Sequence, residues 1–77
     1  MGRVIVEFPE CREVFVGDKS QGNNRDEQDE YRILLIGDGL QTFRLGGPPD
    51  YTPSSQAVEV GAGSVILPQR VIFRKNV

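Results

Sequence analysis

The sequence contains no histidine and a single cysteine, Cys11. Without histidine, the chain cannot form Ser-His or Cys-His nucleophilic pairs, and it lacks the commonest transition-metal ligand. A lone cysteine cannot form an intramolecular disulfide, so the cross-links of many small secreted domains are absent. Acidic Glu10 and Glu13 lie on either side of the Cys11-Arg12 pair, which does not favour a reactive thiolate. We therefore predict a protein that is not an enzyme, with no catalytic residues and no cofactor.

Charge and hydropathy argue against two further kinds of partner. The net charge is −2, and nine basic residues are scattered among eleven acidic ones. Nucleic acids and anionic membranes are bound by clustered basic side chains, so we predict no nucleic-acid partner. The longest apolar run, residues 33–36, is far shorter than the ~20 residues of a membrane span, so no membrane insertion is predicted.

Glu7 interrupts the first aliphatic run, which is untypical of a signal peptide. We expect a cytoplasmic protein, or a cell-surface context if a leader has been removed.

Length and composition favour one small folded domain over residues 1–77. Val, Ile, Leu and Phe account for 23 of the 77 residues. That share, about 30%, lies above the ~20% below which disorder is the better interpretation. The chain is therefore expected to fold around a single apolar core.

Apolar and polar residues alternate along five short segments, which is typical of strands with one buried face. The predicted inward residues are Val4, Val6 and Phe8; Val14 and Val16; Phe43 and Leu45; Val58 and Val60; and Val71 and Phe73. A sixth segment, residues 31–36, is more uniformly apolar, so we predict a central strand that is covered on both faces. The pattern indicates an all-β protein, a small antiparallel β-sandwich of about six to seven strands.

Glycine-rich turns separate these segments. Gly37-Asp38-Gly39 supplies residues that tolerate the positive φ of a tight hairpin. Residues 61–64 and 17–22 are predicted to form two further turns. The spacing of the turns agrees with short strands throughout the chain.

Residues 23–30 are entirely polar and include five charged side chains. We predict a flexible acidic surface loop in this segment. A calcium site is the alternative, with Asp18, Ser20, Gly22, Asp26 and Asp29 as its candidate positions. An EF-hand loop requires Gly at its sixth position and Glu at its twelfth, whereas this chain has Asn and Asp there. No metal site is therefore predicted.

Several segments occur in the order of a known β module. Pro9-Glu10 lead into Val14-Phe15-Val16, "LLIGDGLQTFRL" contains a turn and a strand, and "PDYTPSSQAVEVGAGSVI" contains a tyrosine stretch, a strand and a turn. Together they resemble the PEGA domain, a small bacterial and archaeal module named for its Pro-Glu-Gly-Ala motif. Cys11-Arg12 stand where that family has Gly-Ala, Gly17-Asp18 reverse its Asp-Gly, and the acidic loop is an insertion.

The resemblance to PEGA domains has implications for both fold and function. It implies a prealbumin-like β-sandwich, similar to carboxypeptidase regulatory-domain modules. It implies an accessory or extracellular module without catalytic activity.

The loop that contains Pro48, Pro49, Asp50 and Tyr51 is the candidate ligand site. Prolines and a tyrosine provide rigid contact area, which suits sugars or peptides. The competing interpretation is structural: the prolines stiffen a corner between sheets, and Tyr51 packs over the edge of the core.

These observations lead to three functional hypotheses. The first is a non-enzymatic interaction module that binds a protein partner, or a second copy of itself, through a sheet edge. Residues 70–77 are a candidate edge because they carry charges and no proline. The alternative is a carbohydrate- or cell-surface-binding module that uses the Pro48–Tyr51 loop. A small enzyme is the third and least favoured hypothesis.

Overall fold

The computed structural model describes residues 1–61 and 67–76, and nine β-strands lie within them. The strands are β1 (Gly2–Glu7), β2 (Glu13–Val16), β3 (Lys19–Asn23), β4 (Leu34–Ile36), β5 (Gly39–Leu45), β6 (Tyr51–Thr52), β7 (Gln56–Val60), β8 (Gln69–Ile72) and β9 (Arg74–Lys75). The described residues form no helix, and hence none that could cross a membrane. The all-β prediction is confirmed. Strands β3 and β6 were not predicted because they lack alternating apolar residues, and the segment around Val71 and Phe73, predicted as one strand, is divided at Phe73 into β8 and β9.

The strands form two larger sheets and one small pair. The three-stranded sheet has the order β4-β1-β8, the four-stranded sheet has the order β3-β2-β5-β7, and β6 pairs with β9. Neighbouring strands are antiparallel except in one place, where β1 runs parallel to β8. Val4 of β1 therefore pairs with Leu34 of β4 on one side and with Gln69 of β8 on the other.

The inward side chains of the two larger sheets form one core, as in a small β-sandwich. Its buried members are Val4, Val6, Phe8, Val14, Leu34, Ile36, Phe43, Leu45, Val60, Val71 and Phe73. The inward faces predicted from the alternation are thus confirmed, although Val16 and Val58 are only partly buried. Burial of these aliphatic and aromatic side chains is the main favourable contribution to folding.

The prediction that residues 31–36 form a central strand covered on both faces is wrong. Strand β4 lies at the end of its sheet, with β1 as its one strand neighbour among the described residues. Leu34 and Ile36 point into the core, whereas Leu35 is 61% exposed and Ile33 is 51% exposed. A uniformly apolar run indicates apolar side chains on both faces of a strand, but not that both faces are covered.

The other end of the three-stranded sheet is linked to the four-stranded sheet by glutamine side chains. Gln56 Nε2 of β7 donates a hydrogen bond to the carbonyl of Ile72 at 2.6 Å. Gln69 Nε2 of β8 donates to the carbonyl of Glu59 at 2.8 Å. Strand β9 pairs with β6. The carbonyl of Ile72 and strand β9 are thus engaged within the protein, and within residues 1–61 and 67–76 no strand pairs with the outer side of β4. Residue 77 lies outside the described residues.

The turns differ in what they connect. Gly17, with φ of 59°, and Asp18 join β2 to β3 in a two-residue hairpin, and the rest of the predicted turn at 17–22 belongs to β3. Gly37 and Asp38 carry the chain from the three-stranded to the four-stranded sheet, so this turn is not a hairpin within one sheet. Residues 62–64 of the predicted turn at 61–64 lie outside the described residues.

Candidate functional site

The loop from Leu45 to Tyr51 holds the four residues predicted as a ligand site. Pro48 and Pro49 are exposed, whereas Asp50 and Tyr51 are partly buried. The two prolines are accessible from solvent, whereas Asp50 and Tyr51 contact other parts of the protein.

Tyr51 makes its polar and its aromatic contacts within the protein. Its hydroxyl donates a hydrogen bond to the carbonyl of Leu45 at 2.8 Å, and the Leu45 N–H donates to the hydroxyl oxygen at 3.2 Å. The ring meets Phe8 and Phe73 edge-on, with centroid distances of 6.1 and 5.4 Å. Such T-shaped pairs are a favoured arrangement of aromatic rings. The tyrosine thus ties the two ends of the loop together and closes one end of the core, which favours the structural interpretation. Ligand binding at residues 48–51 stays a prediction.

Asp50 belongs to a closed network of four charged side chains. Arg12 Nη2 donates to both carboxylate oxygens of Asp50, at 2.9 and 2.8 Å, and to Glu10 at 2.9 Å. Lys75 Nζ lies 2.6 Å from Asp50 Oδ2 and 3.0 Å from Glu10 Oε2. Positive and negative charges therefore alternate around the ring. The network joins the β1–β2 connection, the β5–β6 loop and strand β9.

Arg12 is the central member of this network, and its side chain is only 12% exposed. Its Nη1 donates to the carbonyls of Gly46 and Pro48 at 3.3 and 3.4 Å, and its guanidinium carbon lies 5.2 Å from the centre of the Phe8 ring. Arginine suits this position because its planar group offers several donors and stacks on aromatic rings. Arg12 was not predicted as a site residue, since all of these partners except Glu10 are far away in the chain.

The four charges shift one another's pKa values. Hydrogen bonds from Arg12, and then from Lys75, lower the pKa of Asp50 to about 2. Hydrogen bonds from Lys75, and then from Arg12, lower the pKa of Glu10. Asp50 is the main cause of the raised pKa values of Arg12 and Lys75. Each charged form is thus stabilised near neutral pH, and the network acts as a structural clamp rather than as an acid–base pair.

The lowered pKa of Asp50 predicts acid sensitivity. Its contribution to stability is fully present above the unfolded-state value of about 3.9 and is lost as the pH falls through the folded-state pKa of about 2. Unfolding by urea, followed at several pH values, is expected to show that Asp50→Asn lowers stability at pH 6 and that this difference shrinks between pH 4 and 2. Asp18→Asn, at an exposed aspartate outside the network, is the control. A constant difference between Asp50→Asn and the wild type at every pH would contradict the assignment.

Asn24 connects the network to the interior, and it is 0% exposed. Its side-chain oxygen accepts a hydrogen bond from the Arg12 N–H at 2.8 Å. Its side-chain nitrogen donates to the carbonyls of Val6 and Glu10, both at 3.3 Å. The Asn24 N–H donates to the Arg12 carbonyl at 2.9 Å. One buried polar side chain therefore fixes the backbone that leads from β1 to β2.

The acidic segment at residues 23–30 has an anchor that its composition does not reveal. Asn24 is buried, and Arg25 Nη2 donates to the Phe8 carbonyl at 2.9 Å and to the Tyr31 hydroxyl at 3.1 Å. The Asp26 carboxylate accepts hydrogen bonds from two N–H groups of its own loop. The flexibility of this loop stays a prediction, but Asn24, Arg25 and Asp26 each form defined hydrogen bonds.

Neither the acidic segment nor Cys11 provides a metal centre in the described chain. Within residues 1–61 and 67–76, no three His, Cys, Asp or Glu side chains are placed so that they could hold a metal ion. Cys11 is exposed, and its sulfur lies 3.9 Å from the Arg25 carbonyl.

A second candidate surface is the outer face of the three-stranded sheet. Besides Leu35 and Ile33, this side carries Ile72, which is 53% exposed, and the partly buried Ile5. Ile33 lies two positions before Leu35, so in an extended chain both side chains point to the same side. We refer to Ile5, Ile33, Leu35 and Ile72 as the aliphatic face.

The aliphatic face also carries charged side chains. The strand register places Arg3 beside Leu35, and Glu7 beside Ile72. Arg70 Nη1 lies 2.7 Å from Glu7 Oε2 in an ion pair. Apolar and charged groups are therefore mixed on this face, as they are in many protein interfaces. The apolar run at residues 33–36 was its signal in the sequence, which we interpreted as a buried strand.

The candidate site thus comprises two features, a loop at residues 45–51 held by the charged network and the aliphatic face beside β4. Comparisons with protein-family models, with curated proteins and with solved structures found no match for this chain.

Proposed function

We propose that this protein is a non-enzymatic interaction module that binds protein through the aliphatic face and the open β4 edge beside it. The observation that carries the proposal is the exposure of three large aliphatic side chains, Ile33, Leu35 and Ile72, on one face of one sheet. Single exposed apolar residues are ordinary on protein surfaces, whereas groups of them mark interaction sites.

Among the described residues, the outer side of β4 has no strand partner, which adds a second means of recognition. An edge strand carries backbone N–H and C=O groups without a strand partner, and these can pair with another chain. Leu35 and Ile33 stand beside that edge, so the side chains that an added strand presents on the same face would contact them. Backbone pairing and apolar contact thus support the same mode of binding.

The apolar contribution alone does not offset the free-energy cost of association. Complete burial of an exposed aliphatic side chain contributes about 1.5–3 kcal/mol, so covering three that are half exposed contributes roughly 3 kcal/mol. Association costs at least about 4 kcal/mol in lost freedom, so backbone pairing and polar contacts must supply the remainder. We therefore expect a modest affinity.

The resemblance to PEGA domains supports this proposal because it implies an accessory or extracellular module without catalytic activity. Membership of that family stays a prediction. Carbohydrate or cell-surface binding through Pro48, Pro49, Asp50 and Tyr51 is the alternative prediction, and the internal contacts of Tyr51 do not favour it.

Capture of partners from an extract of the source cells tests the proposal with a matched pair of variants. Leu35→Lys places a charge on the aliphatic face, and we expect it to reduce specific capture by about tenfold or more. Leu40→Lys is the control, because Leu40 is 69% exposed and lies on β5 in the other sheet. Circular dichroism should show both variants folded. Equal capture by both baits would contradict the proposal.

A further inference from the structure

We propose that the Asp38-Gly39 pair is a site of spontaneous covalent modification, at which the aspartate converts to isoaspartate. The pair lies at the junction between the two larger sheets, and the inference does not depend on the proposed function. Asp38 supplies the carboxyl group and Gly39 the backbone nitrogen that the conversion requires. Of the five aspartates in the chain, Asp38 is the one followed by glycine.

The conversion proceeds through a cyclic imide. The Gly39 nitrogen attacks the protonated side-chain carboxyl group of Asp38 and forms a carbon–nitrogen bond, and the carboxyl OH leaves with the proton of that nitrogen as water. A water molecule then opens the ring at one of its two carbonyls. Opening at the former backbone carbonyl leaves the chain running through the side chain of Asp38. One water is lost and one is gained, so the mass of the chain is unchanged.

The side chain of Asp38 is accessible for this reaction. It is 58% exposed, and one carboxylate oxygen lies 2.6 Å from the amino group of Met1, which is itself 63% exposed. An ion pair between two such exposed groups contributes little free energy. The contact with Met1 therefore does not hold the carboxyl group away from the backbone of the next residue.

Gly39 offers little obstruction to ring closure. Its φ is 103°, and no atom of the described residues outside its chain neighbours lies within 4 Å of the position that a β-carbon would occupy. Glycine also adopts the widest range of backbone conformations. Gly39 pairs with Val60 at the last position of the β5–β7 ladder, and the ends of strands open at a small cost in free energy. The Gly39 nitrogen can thus become available without unfolding of the whole domain.

The other aspartates are less suited to the same reaction. The carboxylates of Asp26, Asp29 and Asp50 each accept hydrogen bonds from other groups of the protein. Each of these three is followed by Glu or Tyr, whose side chain crowds the approach of the backbone nitrogen. Asp18 is exposed and lies in a turn, but it is followed by Lys19. Asp18 is therefore the matched control for Asp38.

Conversion would alter the link between the two sheets. Gln41 Nε2 donates hydrogen bonds to the carbonyls of Gly37 and Asp38, at 3.0 and 3.3 Å. In the isoaspartate form, the carbonyl of Asp38 becomes a free carboxylate, and the backbone between β4 and β5 gains one methylene group. The turn that Gln41 holds is thereby lengthened. We expect the converted chain to unfold at a lower urea concentration than the original chain.

Ageing of the purified protein for several weeks at neutral pH and body temperature tests the site. Trypsin cleaves after Arg32 and Arg44, and electron-transfer fragmentation of the peptide 33–44 distinguishes isoaspartate from aspartate. We expect isoaspartate to accumulate at position 38 at least about tenfold faster than at position 18. Asp38→Glu keeps the charge but requires a larger ring, so it should not convert. Equal rates at positions 38 and 18 would overturn the proposal.

A pair of asparagine variants tests the same ring closure without the carboxyl charge. In Asp38→Asn the ring forms with loss of ammonia, and water then opens it, so conversion appears in mass spectrometry as a small gain in mass. Asp18→Asn is the control. We expect Asp38→Asn to convert about tenfold faster than Asp18→Asn or more. An Asp38→Asn variant that keeps its amide as long as the control would contradict the assignment.

Comparison with the unfolded chain isolates the effect of the fold on the reaction. Asp38→Asn is incubated in buffer and in concentrated guanidinium chloride, and the two conversion rates are measured. Because the turn is exposed and Gly39 lies at the end of its ladder, we expect the native rate to lie within about tenfold of the unfolded rate. A native rate below that range would show that the folded turn protects the pair, and it would overturn the inference.

Discussion

Replacing Asn24 with alanine is expected to lower the free energy of unfolding by about 3 kcal/mol. Asn24 is fully buried. Its side chain accepts a hydrogen bond from the Arg12 N–H and donates hydrogen bonds to the carbonyls of Val6 and Glu10. Alanine would leave these backbone groups without partners in a place that water reaches poorly. Urea unfolding followed by circular dichroism measures the loss. For a domain of this size, such a loss is a large part of the total stability.

Asn23→Ala is the matched control for this prediction. Asn23 is exposed at the end of β3, and its backbone carbonyl, which accepts a hydrogen bond from Arg32, is retained in alanine. We expect a change within about 0.5 kcal/mol, as is usual for exposed positions. Equal effects of the two substitutions would show that Asn24 is not the anchor of the β1–β2 connection.

Tyr51→Ala is expected to destabilise the fold by a similar amount, about 3 kcal/mol, because it removes a large aromatic side chain from the end of the core. The ring contacts with Phe8 and Phe73 are lost, and so are both hydrogen bonds to Leu45. Tyr51→Phe keeps the ring and removes only the hydroxyl, so it should cost about 1 kcal/mol. Thermal and urea unfolding of both variants divide the effect between ring and hydroxyl.

The exposed neighbour Pro49 provides the control for the loop, and Pro49→Ala should change stability little. If Tyr51→Ala left stability unchanged and abolished binding to a sugar, Tyr51 would be a ligand platform rather than a corner residue. The same measurements therefore decide between the two interpretations of the Pro48–Tyr51 loop.

The core faces could be predicted from the sequence because burial on one side of a sheet imposes a period of two. Val4, Val6 and Phe8 show this clearly, as do Phe43 and Leu45. Each of these assignments uses only residues close together in the chain. Side-chain direction along a strand is a local property, so local sequence is enough to predict it.

The residues that connect distant segments could not be predicted in the same way. Asn24 is chemically identical to the exposed Asn23, and only the approach of Val6 and Glu10 makes it a buried anchor. Arg12 and Asp50 lie 38 positions apart in the chain and meet only through the tertiary fold. Whether an apolar strand is central or terminal likewise depends on strand order, which is why β4 was assigned to the wrong place.

The parallel pairing of β1 with β8 has a consequence for how the chain folds. β1 is the middle strand of its sheet, yet both of its neighbours, β4 and β8, are synthesised much later. Contacts between residues so far apart in sequence form slowly, because a long loop must close before they become favourable. A nascent chain that has not yet reached residue 69 cannot complete this sheet, and Val6 then lacks its partner Val71. The three-stranded sheet can thus be completed only after residues 69–72 have left the ribosome, so β1 is synthesised long before it has both of its neighbours.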